Sequence, residues 1–388
     1  MKNLFYVACV ALVTACSSAP QKELNTFIAE GNPIITDKFT ADPAPMVHDG
    51  TLYLYVGHDE YYEGQDSASG GKEFNITEWL CYSTTDMKTW TDHGSVLKPT
   101  DFKWAVGEAW ASQVVEKNGK FYYYTTVQAG EPFVGKAVGV AVSDSPTGPF
   151  VDAIGAPLVH DKMTDNGARG WWNDIDPTVL IDGDDAWLCW GNGTCFLAKL
   201  KPNMVELDGE IKVIDLPKYV EGPWLHKHND IYYLTYAGMG AGRENIAYAT
   251  ATSMEGPWTY QGELTGMAEN SFTIHPGIAE YNGQWYLFYH HNDFSPQFDK
   301  NRSARIDSLH FNPDGTIQQV IPTLRGVGIT CANSQIQIDR YSSINTKASV
   351  AFLNEDNKFE GWKTIFKKSG AAVQYNRVDF GTAPIQAV

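Results

Sequence analysis

One short pattern occurs five times in this chain, and this repetition limits the available folds more than any other feature. Each copy is an apolar strand, a turn with Gly, Asn or Asp, and a strand rich in aromatic residues. The copies read DPAPMVHDGTLYLYVG from Asp42, WASQVVEKNGKFYYYTT from Trp110, DPTVLIDGDDAWLCWGN from Asp176, EGPWLHKHNDIYYLTYAG from Glu221 and HPGIAEYNGQWYLFYHH from His275. Strands of this composition around such turns are typical of β-hairpins, so we expect an all-β chain.

The spacing of the copies predicts a β-propeller. Successive turns lie between 46 residues (Gly183 to Asn229) and 69 residues (Gly50 to Gly119) apart, close to the length of a four-stranded blade. Turns rich in Ser, Asp, Pro and Gly, each ending in an aromatic residue, follow three hairpins: STTDMKTW from Ser83, SDSPTGPF from Ser143 and TSMEGPW from Thr252. We expect these aromatic residues to pack between blades. A β-sandwich with repeated hairpins is the alternative fold.

Ionisable residues stand near the start of four copies. Each lies seven or eight residues before the turn of its hairpin; the pairs are Asp42 and Gly50, Asp176 and Gly183, Glu221 and Asn229, and His275 and Gly283. The innermost strands of a propeller line its central channel, so equivalent strand ends face one another at one mouth. The repeat therefore predicts a site at that mouth, whereas a sandwich gives no reason for the shared position.

Composition limits the class of protein. The chain of 388 residues is 43% hydrophobic, enough for one large core and a small second unit, and it lacks long helical periodicity. Its formal net charge is −17, from 46 acidic and 29 basic residues, with no local basic cluster. This charge argues against a nucleic-acid partner.

Residues 1–16 have the pattern of a lipoprotein signal. Lys2 precedes a short apolar run, and Val13-Thr14-Ala15-Cys16 resembles a lipobox in which Cys16 is lipidated. An ordinary cleaved signal with a chance Cys is the alternative; the apolar run is too short to span a membrane. Residues 17–30 are predicted to be a tether. Ser17 after Cys16 favours the outer membrane by resemblance to other lipoproteins, so we expect a secreted bacterial lipoprotein, outer-membrane or periplasm-facing, that contacts the membrane only through its anchor.

The remaining cysteines do not predict a metal site. Cys81, Cys189, Cys195 and Cys331 form no CxxC pair and no cluster with His. Cys189 and Cys195 either bridge a hairpin in an oxidising compartment or remain buried free thiols.

The motifs, taken in order, resemble glycoside hydrolase family 43 from about Asn32 to Leu324. The resemblance rests on ADPAPMVHDGTLYLY, AWASQVVEKNGKFY, DIDPTVLIDGD, EGPWLHKHNDIYYLTY, HPGIAEYNGQWYLFYHHN and RSARIDSLHFNPDGTI. It implies a five-bladed propeller over residues 31–324 that releases arabinose or xylose from plant cell-wall polysaccharides with inversion. Carried over by resemblance, Asp42 would be the general base and Glu221 the general acid, with Asp176 orienting the acid and tuning its pKa.

Inversion explains the need for several carboxylates. One carboxylate activates water while a carboxylic acid about 6.5–9.5 Å away protonates the leaving oxygen. The charge of Asp176 would raise the pKa of Glu221 by repulsion. An Asp before Pro is often only a turn former. Asp174, on the same strand face, competes for the role of Asp176, but the family's DP motif and the repeat favour Asp176.

The resemblance implies weaker expectations for five further residues. His275 either contacts a bound cation, often calcium and mostly through water, beneath the sugar, or is purely structural. Arg302 either reaches the sugar or the acid pair, or forms a surface ion pair. Trp110, Trp172 and Trp224 either form a stacking wall and rim for the sugar or pack between blades.

Residues 325–388 differ from the repeats. IQIDRYSSIN from Ile336 and AVQYNRVDFG from Ala372 resemble the opening strands of a family 6 carbohydrate-binding module, a β-sandwich. The segment has about half the length of such a module, so it is either truncated or an embellishment of the propeller.

The resemblance implies release of a terminal pentose from hemicellulose. We expect an α-L-arabinofuranosidase acting on arabinoxylan or its oligosaccharides, because the module resemblance and the GHDE segment at Gly57 are similar to arabinofuranosidases. β-Xylosidase is the alternative activity. A non-catalytic sugar-binding lipoprotein is the alternative of another class, and the presence of all three carboxylates argues against it. Calcium is the one cofactor suggested, and a monomer is expected.

Overall fold

The computed structural model of the protein describes residues 24–382, apart from 66–73, 165–171, 269–270, 296–297, 328–329, 333–337, 339–340, 342, 355–361 and 376–377. The regular structure in the described residues is almost entirely β, as the composition predicts. One 3₁₀ helix, Pro99–Asp101, is the only helix among them, and it is far too short to cross a membrane. The predicted signal and Cys16 lie outside the described residues. The predicted tether, residues 17–30, is wrong for Asn25–Ile28, because these residues form a strand that pairs with residues 89–92 of the first sheet.

Five antiparallel sheets follow one another along the chain. Blade one contains β1 (Asn25–Ile28), β2 (Phe39–His48), β3 (Thr51–Asp59), β4 (Ile76–Thr84) and β5 (Thr89–Leu97). Blade two contains β6 (Ala105–Lys117), β7 (Lys120–Ala129), β8 (Lys136–Ser143) and β9 (Val151–Asp152). Blade three contains β10 (Thr178–Asp182), β11 (Asp185–Trp190), β12 (Cys195–Leu200) and β13 (Leu207–Ile214). Blade four contains β14 (Tyr219–His228), β15 (Ile231–Met239), β16 (Glu244–Ala251) and β17 (Thr259–Glu263), and blade five contains β18 (Gly277–Tyr281), β19 (Gln284–His291) and β20 (Ser303–Leu309).

The blades close into a ring. The innermost strands β2, β6, β10, β14 and β18 each contact the innermost strand of the next blade, and β18 contacts β2. The segment before β2 contacts β20, where Ile34 N–H donates to the Ala304 carbonyl (3.0 Å). At the start of β2, Thr40 N–H donates to the carbonyl of Arg302, the residue before β20 (2.8 Å). This arrangement confirms the predicted five-bladed propeller and excludes the sandwich.

Aromatic residues fill the space between blades. Tyr55 of blade one meets two rings of blade two edge-on, Tyr123 at 5.5 Å and Phe150 at 6.5 Å between ring centroids. Trp90 is fully buried in a cluster that also contains Phe288 of blade five. Phe150 and Trp90 end two of the aromatic turns, so their predicted packing between blades is confirmed.

The hairpin loops correct one detail of the predicted register. Asp42, Asp176 and His275 each lie seven residues before the first loop residue of their hairpins, but Glu221 lies eight before Asn229. Gly222, rather than Glu221, therefore occupies the shared position in blade four. The sequence count misplaced Glu221 by one residue because the Asn229 loop has Asp230, not Gly, as its second member.

The cysteine pair lies within blade three. Cys189 and Cys195 are buried free thiols with their sulfur atoms 3.4 Å apart across the hairpin of β11 and β12.

The region after the propeller forms short strand pairs. Its strands are β21 (Thr330–Cys331), β22 (Ser343–Ile344), β23 (Ala348–Phe352), β24 (Trp362–Phe366), β25 (Val373–Gln374) and β26 (Val378–Asp379). They pair as β21 with β26, β22 with β25 and β23 with β24. The resemblance to a carbohydrate-binding module and the boundary after 324 stay predictions.

Candidate active site

A pocket opens at the mouth of the channel, and the space in and directly above it measures about 290 Å³, open solvent included. Its lining residues are Asp42, Phe74, Trp110, Ile175, Asp176, Glu221, Thr273, Ile274, His275, His290 and Arg302. The structure thus brings together the three predicted carboxylates with His275, Arg302 and Trp110.

Local backbone distortion aims the carboxylates inward. Asp42 (φ 51°) and Asp176 (φ 59°) both have the left-handed conformation that is uncommon for residues other than Gly. In β2 the pairing with β3 is interrupted between Ala41 and Ala44, so Asp42 lies in a bulge. A bulge turns a side chain out of the regular alternation, and strained residues of this kind cluster at functional sites.

Gly222 is required where blades four and five meet. Its φ is 60°, and a Cβ there would lie 3.0 Å from Nδ1 of His275. Its N–H donates to Oδ2 of Asp176 at 3.0 Å. A side chain at this position would therefore disturb both His275 and Asp176.

Asp42 is paired with a buried arginine. Nη1 of Arg302 donates to Oδ1 of Asp42 at 2.9 Å, while Nε and Nη2 hold the two oxygens of Asp59, also at 2.9 Å. Arg302 is only 5% exposed, so the surface ion pair expected as an alternative is wrong. Burial raises the pKa of Asp59 and the Arg302 charge opposes that rise. The guanidinium gives Asp42 a charge-assisted hydrogen bond.

Asp176 lies in an environment that favours its protonated form. Burial raises its pKa well above the ordinary value, and the charges of Glu221 and Asp42 raise it further, against the Gly222 N–H and Arg302. The repulsion between Asp176 and Glu221 is mutual, so ionisation of one opposes ionisation of the other.

Asp174 lies elsewhere. It accepts hydrogen bonds from Thr164 (2.7 and 2.8 Å) and from Nε1 of Trp190 (3.0 Å), and burial raises its pKa to about 6. It does not line the pocket. Asp174 therefore has a structural place in blade three, and Asp176 is the residue that faces the site.

Two polar residues near the carboxylates were not predicted. Nδ2 of Asn192 donates to Oε2 of Glu221 at 2.5 Å. Glu244, 1% exposed, accepts the N–H of Ile274 at 3.1 Å, and its pKa is raised to about 10, first by burial and then by the charge of Glu221. The available sequence signals were the Gly-Asn-Gly turn around Asn192 and an acidic residue opening the apolar strand β16.

Aromatic residues form the outer wall of the pocket. Trp110 lines it, and the ring of Trp172, 36% exposed, meets Trp110 edge-on at 4.9 Å. Phe74, which was not predicted, also lines the pocket and lies against the guanidinium of Arg302 at 4.3 Å. The Lys136 ammonium lies 4.5 Å above the Trp110 ring. Trp110 thus lies in the pocket wall and Trp172 lies beside it, and contact of either ring with a sugar stays a prediction.

Trp224 is not a rim residue. It is 3% exposed, belongs to the main hydrophobic core, and donates its Nε1–H to the Ile278 carbonyl of blade five at 3.0 Å. The prediction that it contacts the sugar is wrong, because this side chain points between blades four and five.

His275 lies beside Asp42 in a buried position that favours the neutral imidazole. Its Nδ1 lies 3.9 Å from Oδ1 of Asp42, and burial lowers its pKa. Within the described part of the chain, the one close set of three potential metal ligands is His58, Glu60 and Glu78, none of which lines the pocket. A cation at this place could therefore bind one nitrogen of His275 and one carboxylate oxygen of Asp42. Most of the ligands of a calcium ion there would have to be water.

Comparisons with known proteins give a consistent result. Residues 30–317 match the model of the glycosyl hydrolases family 43. The chain is 29% identical over 346 residues to an arabinoxylan arabinofuranohydrolase of Bacillus subtilis (strain 168), covering 77% of this chain and 66% of that protein. It is 30% identical over 330 residues to a xylosidase/arabinosidase of Bacteroides ovatus, covering 73% of this chain and 95% of that protein. The chain thus spans slightly under two thirds of the Bacillus protein.

A solved structure agrees with these relatives. The β-xylosidase/α-arabinofuranosidase from a compost microbial metagenome, in complex with xylotriose and in a calcium-free form, superposes with a TM-score of 0.66 at 28% identity. The match covers 77% of this chain and 99% of that one.

Proposed function

The chain belongs to glycoside hydrolase family 43, and from this premise we propose that it is an inverting glycosidase that releases a terminal pentose from hemicellulose. The observation that carries the proposal is that the pocket carboxylates have different electrostatic environments. Asp42 is hydrogen-bonded to the guanidinium of Arg302, whereas Asp176 and Glu221 repel each other, which favours protonation of one of them. This combination supplies one carboxylate base and one carboxylic acid at the same pH.

The residues then have separate tasks. Asp42 accepts a proton from the water that attacks the anomeric carbon, and Glu221 donates its proton to the leaving oxygen on the other side of the ring. When Asp176 is ionised, its charge favours the protonated form of Glu221. The Gly222 N–H fixes the Asp176 carboxylate.

In this proposal the pocket receives a single terminal residue. Phe74 and Trp110 offer an apolar wall to its sugar ring. The names of the Bacillus and Bacteroides relatives favour arabinofuranosidase activity on arabinoxylan, with β-xylosidase activity second. A non-catalytic sugar-binding role has no support from these relatives.

We include two further elements in the proposal. A calcium-like ion near His275, held largely by water, would offset part of the repulsion among the carboxylates. The calcium-free form of the compost enzyme suggests that calcium is relevant to such enzymes. Lipidation at Cys16 would hold a monomeric enzyme at the outer membrane or facing the periplasm.

The test is release of 4-nitrophenol from the α-L-arabinofuranoside and the β-D-xyloside side by side. We expect both to be cleaved, the arabinofuranoside faster, and the Asp42→Asn protein from the same purification to be inactive. A faster xyloside reaction would reverse the order of the two activities. Absence of both reactions, and of any pentose release from arabinoxylan, would contradict the proposed activity.

Stereochemistry tests the mechanism separately. If Asp42 and Glu221 lie on opposite sides of the sugar with room for water, the first product has the inverted anomeric configuration. Proton NMR during early turnover distinguishes the two anomers. A retained anomer would mean that a carboxylate acts as nucleophile.

A further inference from the structure

The loop between β11 and β12 contacts the proposed acid. Asn192 lies in this loop, is 5% exposed, and directs its amide at Glu221, with 2.5 Å between Nδ2 and Oε2. An amide donor at this distance fixes the rotation of a carboxyl group that would otherwise turn about its terminal bond.

The same loop is tied to both strands that carry the acid pair. Gly191 N–H donates to the carbonyl of Ile175, the residue before Asp176, at 2.8 Å. Gly193 N–H donates to the carbonyl of Val220, the residue before Glu221, at 2.6 Å. The loop therefore holds Asn192 in a fixed place relative to the Asp176 and Glu221 backbones.

The loop conformation depends on glycine. Gly191 has φ 130°, and a Cβ there would lie 2.0 Å from the Thr194 carbonyl oxygen. Gly193 has φ 72°. The hydroxyl of Tyr219 donates to the Gly191 carbonyl at 2.7 Å, which fixes the loop further. These features make the placement of Asn192 a specific property of the loop.

We propose that Asn192 is a positioning residue that keeps the transferable proton of Glu221 on Oε1 by donating an N–H to Oε2. A protonated carboxyl has one O–H, and a proton on Oε2 would face the amide hydrogens of Asn192. Oε1 is therefore the oxygen that delivers the proton. This inference rests on the proposed role of Glu221.

Asn192 and an ionised Asp176 should shift the pKa of Glu221 in opposite directions. The Asn192 N–H stabilises the carboxylate that remains after proton transfer, whereas the Asp176 charge destabilises it. Loss of the amide should raise the pH at which Glu221 loses its proton, and loss of the Asp176 charge should lower it. Substitution of a residue with a purely structural role would leave the pKa of Glu221 unchanged.

The experiment compares Asn192→Ala with Asn203→Ala. Asn203 makes the same type of bond, from Nδ2 to Oε1 of Glu206 at 2.7 Å, in an exposed loop of the same blade. We expect Asn192→Ala to lower kcat on arabinoxylan oligosaccharides about 10-fold or more, because a hydrogen bond to a charged group is lost. Its kcat on the 4-nitrophenyl glycoside should change less than about 3-fold, since that leaving group needs little protonation. Asn203→Ala should match the wild type on both.

A second measurement does not depend on activity. The Glu221 carboxyl is titrated by carbon-13 NMR in labelled protein and assigned with Glu221→Gln; its midpoint should move to higher pH in Asn192→Ala. Asn192→Ser serves if the alanine variant does not fold. Equal losses on both substrates with an unmoved midpoint, or unchanged kinetics, would overturn the proposal. If the wild type cleaves neither substrate, the proposed function fails, and the midpoint alone decides whether Asn192 acts on Glu221.

Discussion

The two sides of the pocket hold similar carboxylates in different ways. On the side of blades one and five, Asp42 is held by the guanidinium of Arg302, which also binds Asp59. On the side of blades three and four, Asp176 is held by a backbone N–H and Glu221 by an amide. A cation compensates a negative charge, whereas neutral donors orient a carboxyl and leave its repulsion with a neighbour in place. This difference supports the proposed assignment of a base and an acid to residues with the same functional group.

The largest effect on activity is expected at Asp42, whose charge is compensated by Arg302. Asp42→Asn should abolish hydrolysis of arabinoxylan oligosaccharides and of aryl glycosides alike, because the attacking water loses its proton acceptor in both. A loss of ~10²–10⁴-fold is typical for a group of this kind. Asp49→Asn, in the exposed hairpin loop after the same strand, is the control and should keep full activity. Activity like the wild type in Asp42→Asn would remove Asp42 from the mechanism.

On the opposite side, loss of the acid should depend on the substrate. Glu221→Ala should lower kcat on arabinoxylan oligosaccharides by ~10²–10⁴-fold but affect 4-nitrophenyl glycosides far less, since only the natural leaving group needs a proton. The ratio of the two rates is the measurement, with Asp42→Asn as the comparison because its loss should be the same on both. Equal losses in Glu221→Ala would mean that Glu221 is not the acid.

Removing the compensating cation should reduce stability as well as activity. Arg302→Met leaves Asp42 and Asp59 buried without their partner, and breaking a buried ion pair costs about 3–5 kcal/mol. Thermal melts at pH 7 should show a large drop, and the drop should be smaller at acid pH, where protonation of Asp59 removes one unpaired charge. Arg302→Met combined with Asp59→Asn should recover part of the stability but not the activity. A stability equal to the wild type would mean that the Arg302 pairs contribute little.

Sequence reasoning placed the two sides unequally well. The repeat led to Asp42, Asp176 and His275 because each precedes a Pro at the same distance from a hairpin loop. It found Glu221 but not its shift by one residue, which depends on how the Asn229 loop is formed.

Contacts between distant segments were not predictable from the repeat. Arg302 reaches Asp42 from 260 positions away, and Asn192 reaches Glu221 from a neighbouring blade's loop. Trp224 was misassigned because strand alternation alone does not tell a channel-facing side chain from one between blades. Phe74 lies outside the repeated segments, so the repeat gave no indication of its place in the pocket. Such features follow from the packing of blades against one another, which local spacing does not contain.

A smaller effect is expected from Glu244, on the side of the pocket that holds Asp176 and Glu221. It should appear in the pH dependence of stability. The pKa of Glu244 in the folded protein is about 10, above its ordinary value, so the folded state keeps this proton where the unfolded chain loses it. Stability from this group is fully present below about pH 4.5 and declines as the pH rises toward 10. Glu244→Gln should melt like the wild type at pH 5 and at a higher temperature at pH 8–9. Glu244→Ala, which leaves the Ile274 N–H without its partner, should be less stable at both.

The smallest effect is expected from a cation between the two sides. His275 adjoins Asp42 on one side and Gly222 on the other, so an ion beside it would reduce repulsion among the carboxylates of both. We expect metal analysis of extensively dialysed protein to find a calcium-like ion, and chelation to lower activity and melting temperature modestly. The ring of innermost strands closes through strand contacts, so the fold should survive removal of the ion. His275→Ala should reduce the metal content and reproduce the effect of chelation. If no ion is found and His275→Ala changes neither catalysis nor stability, no cation is needed at His275. The repulsion among the carboxylates is then reduced by the charge of Arg302 and by protonation alone.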